Sequence, residues 1–274
     1  MLEIGQMAFI GGGAMGEAMI KGLLARQLLT AEQIVASDPV AARRTWMEEQ
    51  YHIRTVGDNP AAVRAADVVI FAVKPQVMPQ VCAELRGQIP SHAMVLSIMA
   101  GVPIRALQSR LGHERIVRAM PNTPAQVNQG VTVWMATEAV SQEQRRQTEL
   151  ILGALGEQLE AHKEDFLDMQ TALGGSGPGF VFLILEALID AGVQMGFSRN
   201  EAQIIVLQTV AGSVALMQQT GLHPAELRNR VTSAGGTTAA GLYALEKGGL
   251  RAVLADAIFA AYRRSQELGK LQEK

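Results

Sequence analysis

Residues 231–238 read Val-Thr-Ser-Ala-Gly-Gly-Thr-Thr, two glycines and four hydroxyl residues ahead of a predicted helix at 239–247. A helix start presents N–H groups without intrahelical partners and a partial positive charge, and together these hold an anion. Glycine lets a backbone approach a ligand closely. The segment therefore carries the chemistry of a pocket for a small acid. Near the other end, residues 9–16 read Phe-Ile-Gly-Gly-Gly-Ala-Met-Gly, which spaces Gly11, Gly13 and Gly16 as G-x-G-x-x-G between a strand and a helix. That context suits a dinucleotide: the first glycine allows the tight turn, the second admits the pyrophosphate, and the third permits close helix packing. The two segments together point to a reductase with a carboxylate substrate.

Further polar groups fall at strand ends. The second strand closes in Ala36-Ser-Asp-Pro39. Asp38 lies about where an acidic residue accepts from the adenosine ribose 2′-hydroxyl, which favours NAD. Ser37, Arg43 and Arg44 are near enough in sequence to meet a 2′-phosphate instead, and the sequence leaves the two cofactors open. Segments 72–75, 97–100 and 120–124 end strands on one side of the predicted sheet, where ligands of open α/β sheets bind. Lys74 reads either as a phosphate or ribose contact or as ordinary surface. Asn122 and Thr123 sit between Pro121 and Pro124, which stiffen the loop by fixing φ. The glycine-rich stretch 171–180, with Ser176 between glycines, reads equally as a ligand loop or as a tight helix corner.

These groups need elements to position them. The first half alternates strands (6–10, 33–37, 67–73, 94–98, 115–119) with helices (13–28, 40–50), which predicts a doubly wound parallel sheet. After Leu159 the periodicity is helical throughout: 165–173, 180–195, 199–220, 224–231, 239–246 and 252–268. The fold class expected is α/β, an N-terminal Rossmann-type sheet over residues 1–162 followed by an all-α substrate-binding and dimerisation domain over 163–274. Ser198 with Glu201 marks a helix start, and Gly221 a helix end. The helix at 180–195 is apolar on most sides and must be buried; dimerisation through this half is the expected means.

Composition narrows the function. The 274 residues carry a net charge of −2 and only 4% aromatics, so neither a basic field nor a stacking platform points to nucleic acid. Cys82 is the sole cysteine and the five histidines are scattered, so no disulfide and no metal site is expected. The N-terminus lacks the pattern of a signal peptide. The most apolar run, 179–189, reads as too short to span a bilayer. A cytoplasmic protein without a membrane partner is the expectation.

The motifs FIGGGAMG, AVKP, SIMAG, RAMPNTP, GGSGPGF and VTSAGGTT, in this order over nearly the whole chain, resemble those of the pyrroline-5-carboxylate reductase family. The resemblance implies reduction of 1-pyrroline-5-carboxylate to L-proline, the last step of proline biosynthesis. It implies NADPH as cofactor, with NADH as the alternative. It implies a homodimer of interlocking helices, and larger assemblies such as a decamer. Carried over by motif, the cofactor contacts fall on Ile10, Gly11, Gly12, Gly13, Ala14 and Met15, on Ser37, Asp38 and Asn59, on Ala72, Val73, Lys74 and Pro75, and on Ile98, Met99 and Ala100. Substrate contacts fall on Glu164, Thr237 and Thr238, with Ser233, Ala234, Gly235 and Gly236 forming the carboxylate loop. Two departures stand out. Ala234 replaces a usual proline, and residues 174–180 lack the usual Ser-Gly-Ser-Gly-Pro-Ala-Tyr.

The expected chemistry is hydride delivery to a protonated cyclic imine, which needs position and field from the protein and no metal or nucleophile. Thr238 is the expected catalytic residue, hydrogen-bonding the ring nitrogen; the competing role for Thr237 and Thr238 is to cap the following helix. A related reductase of another cyclic imino acid, such as piperideine carboxylate, is the alternative, because one methylene of pocket size is weakly discriminated. A β-hydroxyacid dehydrogenase would need a lysine in the helical domain, and residues 180–221 contain none. A cofactor-binding regulator without turnover would have no use for a second anion loop.

Overall fold

The computed structural model describes residues 2–272. The chain divides into two compact units: the residues up to Ser176 with those from Ala261 onward, and Gly177–Ala260.

The first unit opens as β1 (Met7–Ile10), α1 (Ala14–Ala25), β2 (Ile34–Ser37), α2 (Ala41–Tyr51), β3 (Arg54–Val56), α3 (Asn59–Val63), β4 (Val68–Phe71) and α4 (Met78–Leu85). It continues as β5 (Met94–Ser97), α5 (Ile104–Leu111), β6 (Ile116–Met120), β7 (Gly130–Ala136), α6 (Gln142–Gly153), β8 (Gly156–Glu160) and α7 (Asp165–Gln170). The strands form one sheet in the order β3-β2-β1-β4-β5-β6-β7-β8. All neighbours are parallel except β6 and β7. Every residue of β1, β2, β4 and β5 is buried, as expected of parallel strands covered on both faces. Met7 and Phe9 pack beneath α1 and α6 with Met19, Leu23 and Leu152. Ala8 and Ile10 face the other way, into α3, α4 and α5 with Val63, Cys82 and Leu107.

The sheet is longer than the predicted strands. β3 has only three residues. β7 alternates buried and half-buried positions, the pattern of a strand with one covered face. β8, Gly-Glu-Gln-Leu-Glu, is a polar edge with no fully buried residue, so no apolar run marks it. Trp134 of β7 is fully buried, and its indole N–H donates to Gln158 Oε1 of β8 at 2.6 Å.

The second unit holds α8 (Gly177–Gln194), α9 (Arg199–Thr220), α10 (Pro224–Arg230), α11 (Thr237–Lys247) and the first part of α12 (Leu250–Gln272). Ser198 Oγ accepts from Glu201 N–H at 3.3 Å, and the Glu201 carboxylate accepts from Ser198 N–H at 2.9 Å, a reciprocal cap at the expected helix start. The expectation that the apolar helix is buried fails within one chain: α8 has no buried residue, and Phe182 and Leu183 are 64% and 65% exposed. The apolar segment is also longer than 179–189. The helical run Asp165–Gln194 spans 30 residues, and its most apolar 18-residue window has a mean hydropathy of 1.7, long and apolar enough by length and composition alone to cross a membrane.

Candidate active site

Strand order reverses between β1 and β4, and the crevice outside their carboxyl ends is the place where open sheets bind ligands. Backbone bonds set the edge: Gly11 N–H donates to Ser37 O (2.9 Å), Ala72 N–H to Ile10 O (2.9 Å) and Ile98 N–H to Phe71 O (3.1 Å). These bonds bring the segments beginning at Ile10, Ser37, Ala72 and Ile98 side by side. They are the segments the sequence assigned to a dinucleotide.

Gly11 has φ +98°, and a Cβ there would lie 2.9 Å from both Ala72 O and Val73 Cγ1. No other residue type fits this turn. Gly13, by contrast, faces open space. It is the N-cap of α1 in extended conformation and has no capping side chain, so the first-turn amides of Ala14, Met15 and Gly16 have no intrahelical acceptor. A Cβ on Gly16 would fall 2.8 Å from Gly11 O, so this glycine lets helix and turn pack. A cradle closed to side chains at Gly11 and open at Gly13, with amides pointing out of a helix start, fits a dinucleotide pyrophosphate.

Around it, Asp38 Oδ2 accepts from Gly12 N–H at 3.0 Å and Oδ1 from Val40 N–H at 2.9 Å. Ser37 is 1% exposed, and its hydroxyl donates to Asn59 Oδ1 at 2.6 Å. The Asn59 amide donates in turn to Glu84 Oε2 at 2.7 Å. Met99 is buried, with its N–H on Ser97 Oγ at 3.3 Å; Lys74 and Ala100 are exposed. Val73 is half-buried, and Pro75 opens the short 3-10 turn Pro75–Val77.

Glu164, immediately before α7, has its Oε1 at 2.8 Å from both Ile104 N–H and Arg118 Nη1. It thus receives the first amide of α5, whose N-cap, Pro103, has no side-chain bond. Arg118 is 3% exposed and also donates to Asp168 Oδ1 at 3.2 Å. Sequence reasoning missed Arg118. The available signal was a single charge inside the apolar strand Ile116–Met120. Asn122 is a clamp: its amide donates to Gly174 O (3.1 Å) and its Oδ1 accepts from Val131 N–H (2.9 Å). Ser176 donates to Thr171 O at 3.2 Å within a π-turn, Thr171–Gly175. Cys82 is fully buried, and burial pushes its thiol up to about 11.

In the second unit, α11 begins at Thr237, two residues before the sequence expectation. Gly236 is its N-cap and no side chain caps it, so the hydroxyls of Thr237 and Thr238 do not serve as N-caps. They sit on the first turn beside amides without intrahelical acceptors. Gly236 N–H donates to Ser233 O at 3.1 Å, closing a turn over Ser233, Ala234 and Gly235 in which Gly235 has φ +69°. Ser233, Ala234 and Gly235 are exposed in the single chain.

Comparison with known proteins fits this geometry. A family model described as "Pyrroline-5-carboxylate reductase dimerisation" matches residues 164–268, and one described as "NADP oxidoreductase coenzyme F420-dependent" matches residues 6–101. The pyrroline-5-carboxylate reductase of Synechocystis sp. is 43% identical over 97% of this chain and 98% of its own. The chain belongs to the pyrroline-5-carboxylate reductase family. The Pseudomonas aeruginosa member is 41% identical over 97% of both chains. The solved Coxiella burnetii reductase superposes with a TM-score of 0.91 at 36% identity, covering 96% of this chain and 98% of that one. The Plasmodium falciparum enzyme, solved with NADP bound, gives 0.88 at 31% identity over 98% and 99%. This reductase is an oxidoreductase that uses NAD(P)H. Its dimerisation domain makes it a homo-oligomer, and the exposed apolar residues of α8 and α9 fall within that domain.

Proposed function

We propose that the chain reduces 1-pyrroline-5-carboxylate to L-proline through the following division of labour. The glycine crevice between β1 and β4 holds the dinucleotide. The first-turn amides of α1 take the pyrophosphate, Asp38 takes the adenosine ribose, and the segments 72–75 and 98–100 line the nicotinamide half. Bound there, NAD(P)H supplies a hydride to the imine carbon. The backbone N–H groups of Ser233 to Thr237 bind the substrate carboxylate, as a helix start with glycine in the turn is suited to do. Thr238 hydrogen-bonds the ring nitrogen and relays to it, from water, the proton that balances the hydride. Glu164 shapes the site through Arg118 and Ile104. The observation that carries this reading is that α1 and α11 each begin at a glycine with no capping side chain, which leaves first-turn amides without an intrahelical acceptor at both.

The working assembly is a homodimer through α8 and α9, and dimers associate into a larger ring such as a decamer, as the family resemblance supports. A cytoplasmic setting is part of the same proposal. The test is to mix purified protein with pyrroline-5-carboxylate or its six-membered homologue and either NADPH or NADH, and to follow the reduced-nicotinamide absorbance. Decay with the five-membered imine is the expected result. Decay only with the six-membered ring would give the enzyme the other substrate, and no decay with any pair would overturn the assignment.

A further inference from the structure

The Gly12–Gly13 peptide joins the turn after β1 to the start of α1, and it lies between two residues without a Cβ. Such a peptide is the kind most free to rotate, because neither neighbour resists a change of φ or ψ. The fold nevertheless holds Gly12 on three sides. Its N–H donates to Asp38 Oδ2 at 3.0 Å, and its carbonyl oxygen accepts from Arg43 Nε at 2.6 Å. A Cβ on Gly12 would lie 2.6 Å from Met47 Cε, so α2 closes the third side. Arg43 is itself fixed. Its Nη2 is ion-paired with Glu17, and the guanidinium lies 4.3 Å from the centroid of the Trp46 ring. Glu17 stands one turn into α1, and its Oε1 accepts from the Tyr51 hydroxyl at 2.9 Å. Burial and the Glu17 carboxylate push the Tyr51 phenol up to about 12, so it remains a donor across the neutral range.

We propose that Arg43 is a positioning residue for the dinucleotide: by holding Gly12 O it orients the Gly13 N–H, and with it the entry to α1, for the pyrophosphate. The inference rests on reading the β1–β4 crevice as the dinucleotide site. A peptide is planar and, here, trans, so an oxygen fixed on Arg43 sends the Gly13 N–H the opposite way, away from the guanidinium. Without the arginine, two glycines let this plane turn. A rotated peptide sets a carbonyl oxygen where an N–H is needed, and an anion binds the N–H and is repelled by the oxygen. The sequence presents Arg43 as a partner for a 2′-phosphate. In the fold its Nε and Nη2 are engaged by the turn and by Glu17, so its effect falls on the part common to NADH and NADPH. Glu17 and Tyr51 act one step further out, by keeping the guanidinium in place. The helix thus carries, one turn in, the anchor for the residue that orients its own start.

The test is calorimetric titration of the intact oligomer with NADH and, separately, NADPH, alongside steady-state kinetics. Arg43→Ala should weaken both dinucleotides by about tenfold and to a similar degree, the loss of one charge-assisted hydrogen bond. The KM for the dinucleotide should rise, while kcat at saturation and the KM for the imine stay near the parent values. Arg43→Lys, which can serve Gly12 O or Glu17 but not both, should fall between parent and Arg43→Ala. Glu17→Gln should shift both affinities in the same direction by a smaller factor. A loss confined to NADPH would make Arg43 a 2′-phosphate contact and overturn the proposal. Unchanged affinity for both dinucleotides in Arg43→Ala, whatever its melting temperature, would reduce the network to a brace between α1 and α2 and overturn it too. If Arg43→Ala does not fold, affinities unmoved in both Arg43→Lys and Glu17→Gln have the same force. Binding of neither dinucleotide by the unmodified protein sinks the crevice reading itself, and the positioning role with it.

Discussion

At Gly11 a single hydrogen decides whether the cofactor edge exists. Gly11→Ala combines a left-handed backbone with a methyl 2.9 Å from Ala72 O. It is expected to weaken dinucleotide binding by more than about tenfold and to cost about 1–3 kcal/mol in chemical denaturation. Thr238 answers to a different measurement. Because Gly236 holds the cap position of α11, Thr238→Ala should leave the melting temperature near the parent value. It should lower kcat about 10- to 100-fold, the value of a transition-state hydrogen bond of about 1.5–3 kcal/mol. An unchanged kcat removes Thr238 from the ring nitrogen. Cys82 provides a pH signature. Its folded thiol titrates near 11 against an ordinary 9.0, so above pH 9 the unfolded chain releases a proton that the folded chain keeps. Stability from this group is complete below pH 9 and is lost as pH rises toward 11. Cys82→Ala should flatten that part of a pH series of urea unfolding curves. The glycine turn at Gly11 could be read from the sequence because its spacing announces it. Arg118 left only the mark of a lone charge in an apolar strand, since its partners lie 46 and 50 residues away.

Among elements, the contact that ties α7 to the cofactor edge is Glu164 on Ile104 N–H and Arg118. Glu164 is one-third exposed, so the pair is worth less than a fully buried one. Glu164→Ala is expected to lower stability by about 1–2 kcal/mol, and Glu164→Gln by less, because an amide oxygen can still accept from Ile104. A change in substrate KM with no change in denaturation midpoint would instead confine Glu164 to a ligand contact. The sequence located most elements because their burial is one-sided or complete, and periodicity reports that. β8 escaped because a polar edge strand buries nothing fully, and β7 because alternation of Val, Thr and Trp beside glycine is a weaker mark than a continuous apolar run. The start of α11 shifted from 239 to 237 because a glycine cap leaves no side-chain signal for the boundary.

For the whole molecule, the uncovered surfaces of α8 and α9 predict that folding and association are one event. Replacing Leu183 or Ile205 by Glu places a charge on the apolar surface proposed as the contact between subunits. Sedimentation should then show smaller species, and the melting temperature of the parent protein should rise with its concentration. Apolar helices without a monomer core were legible as a dimerisation signal in the sequence; the number of subunits was not, since that depends on angles between surfaces. The chain also leaves its first unit after Ser176 and rejoins it at Ala261. Tyr262 donates to Asp165 Oδ1 at 2.7 Å, and Ser265 donates to Asp168 Oδ1 at 3.1 Å. The sheet unit is thus bolted shut by the tail of the polypeptide. A gene fragment stopping at residue 176 would yield an incomplete nucleotide module, with two acidic groups of α7 stripped of their hydroxyl donors. Anyone wishing to excise that module intact would have to splice the last helical turns back on.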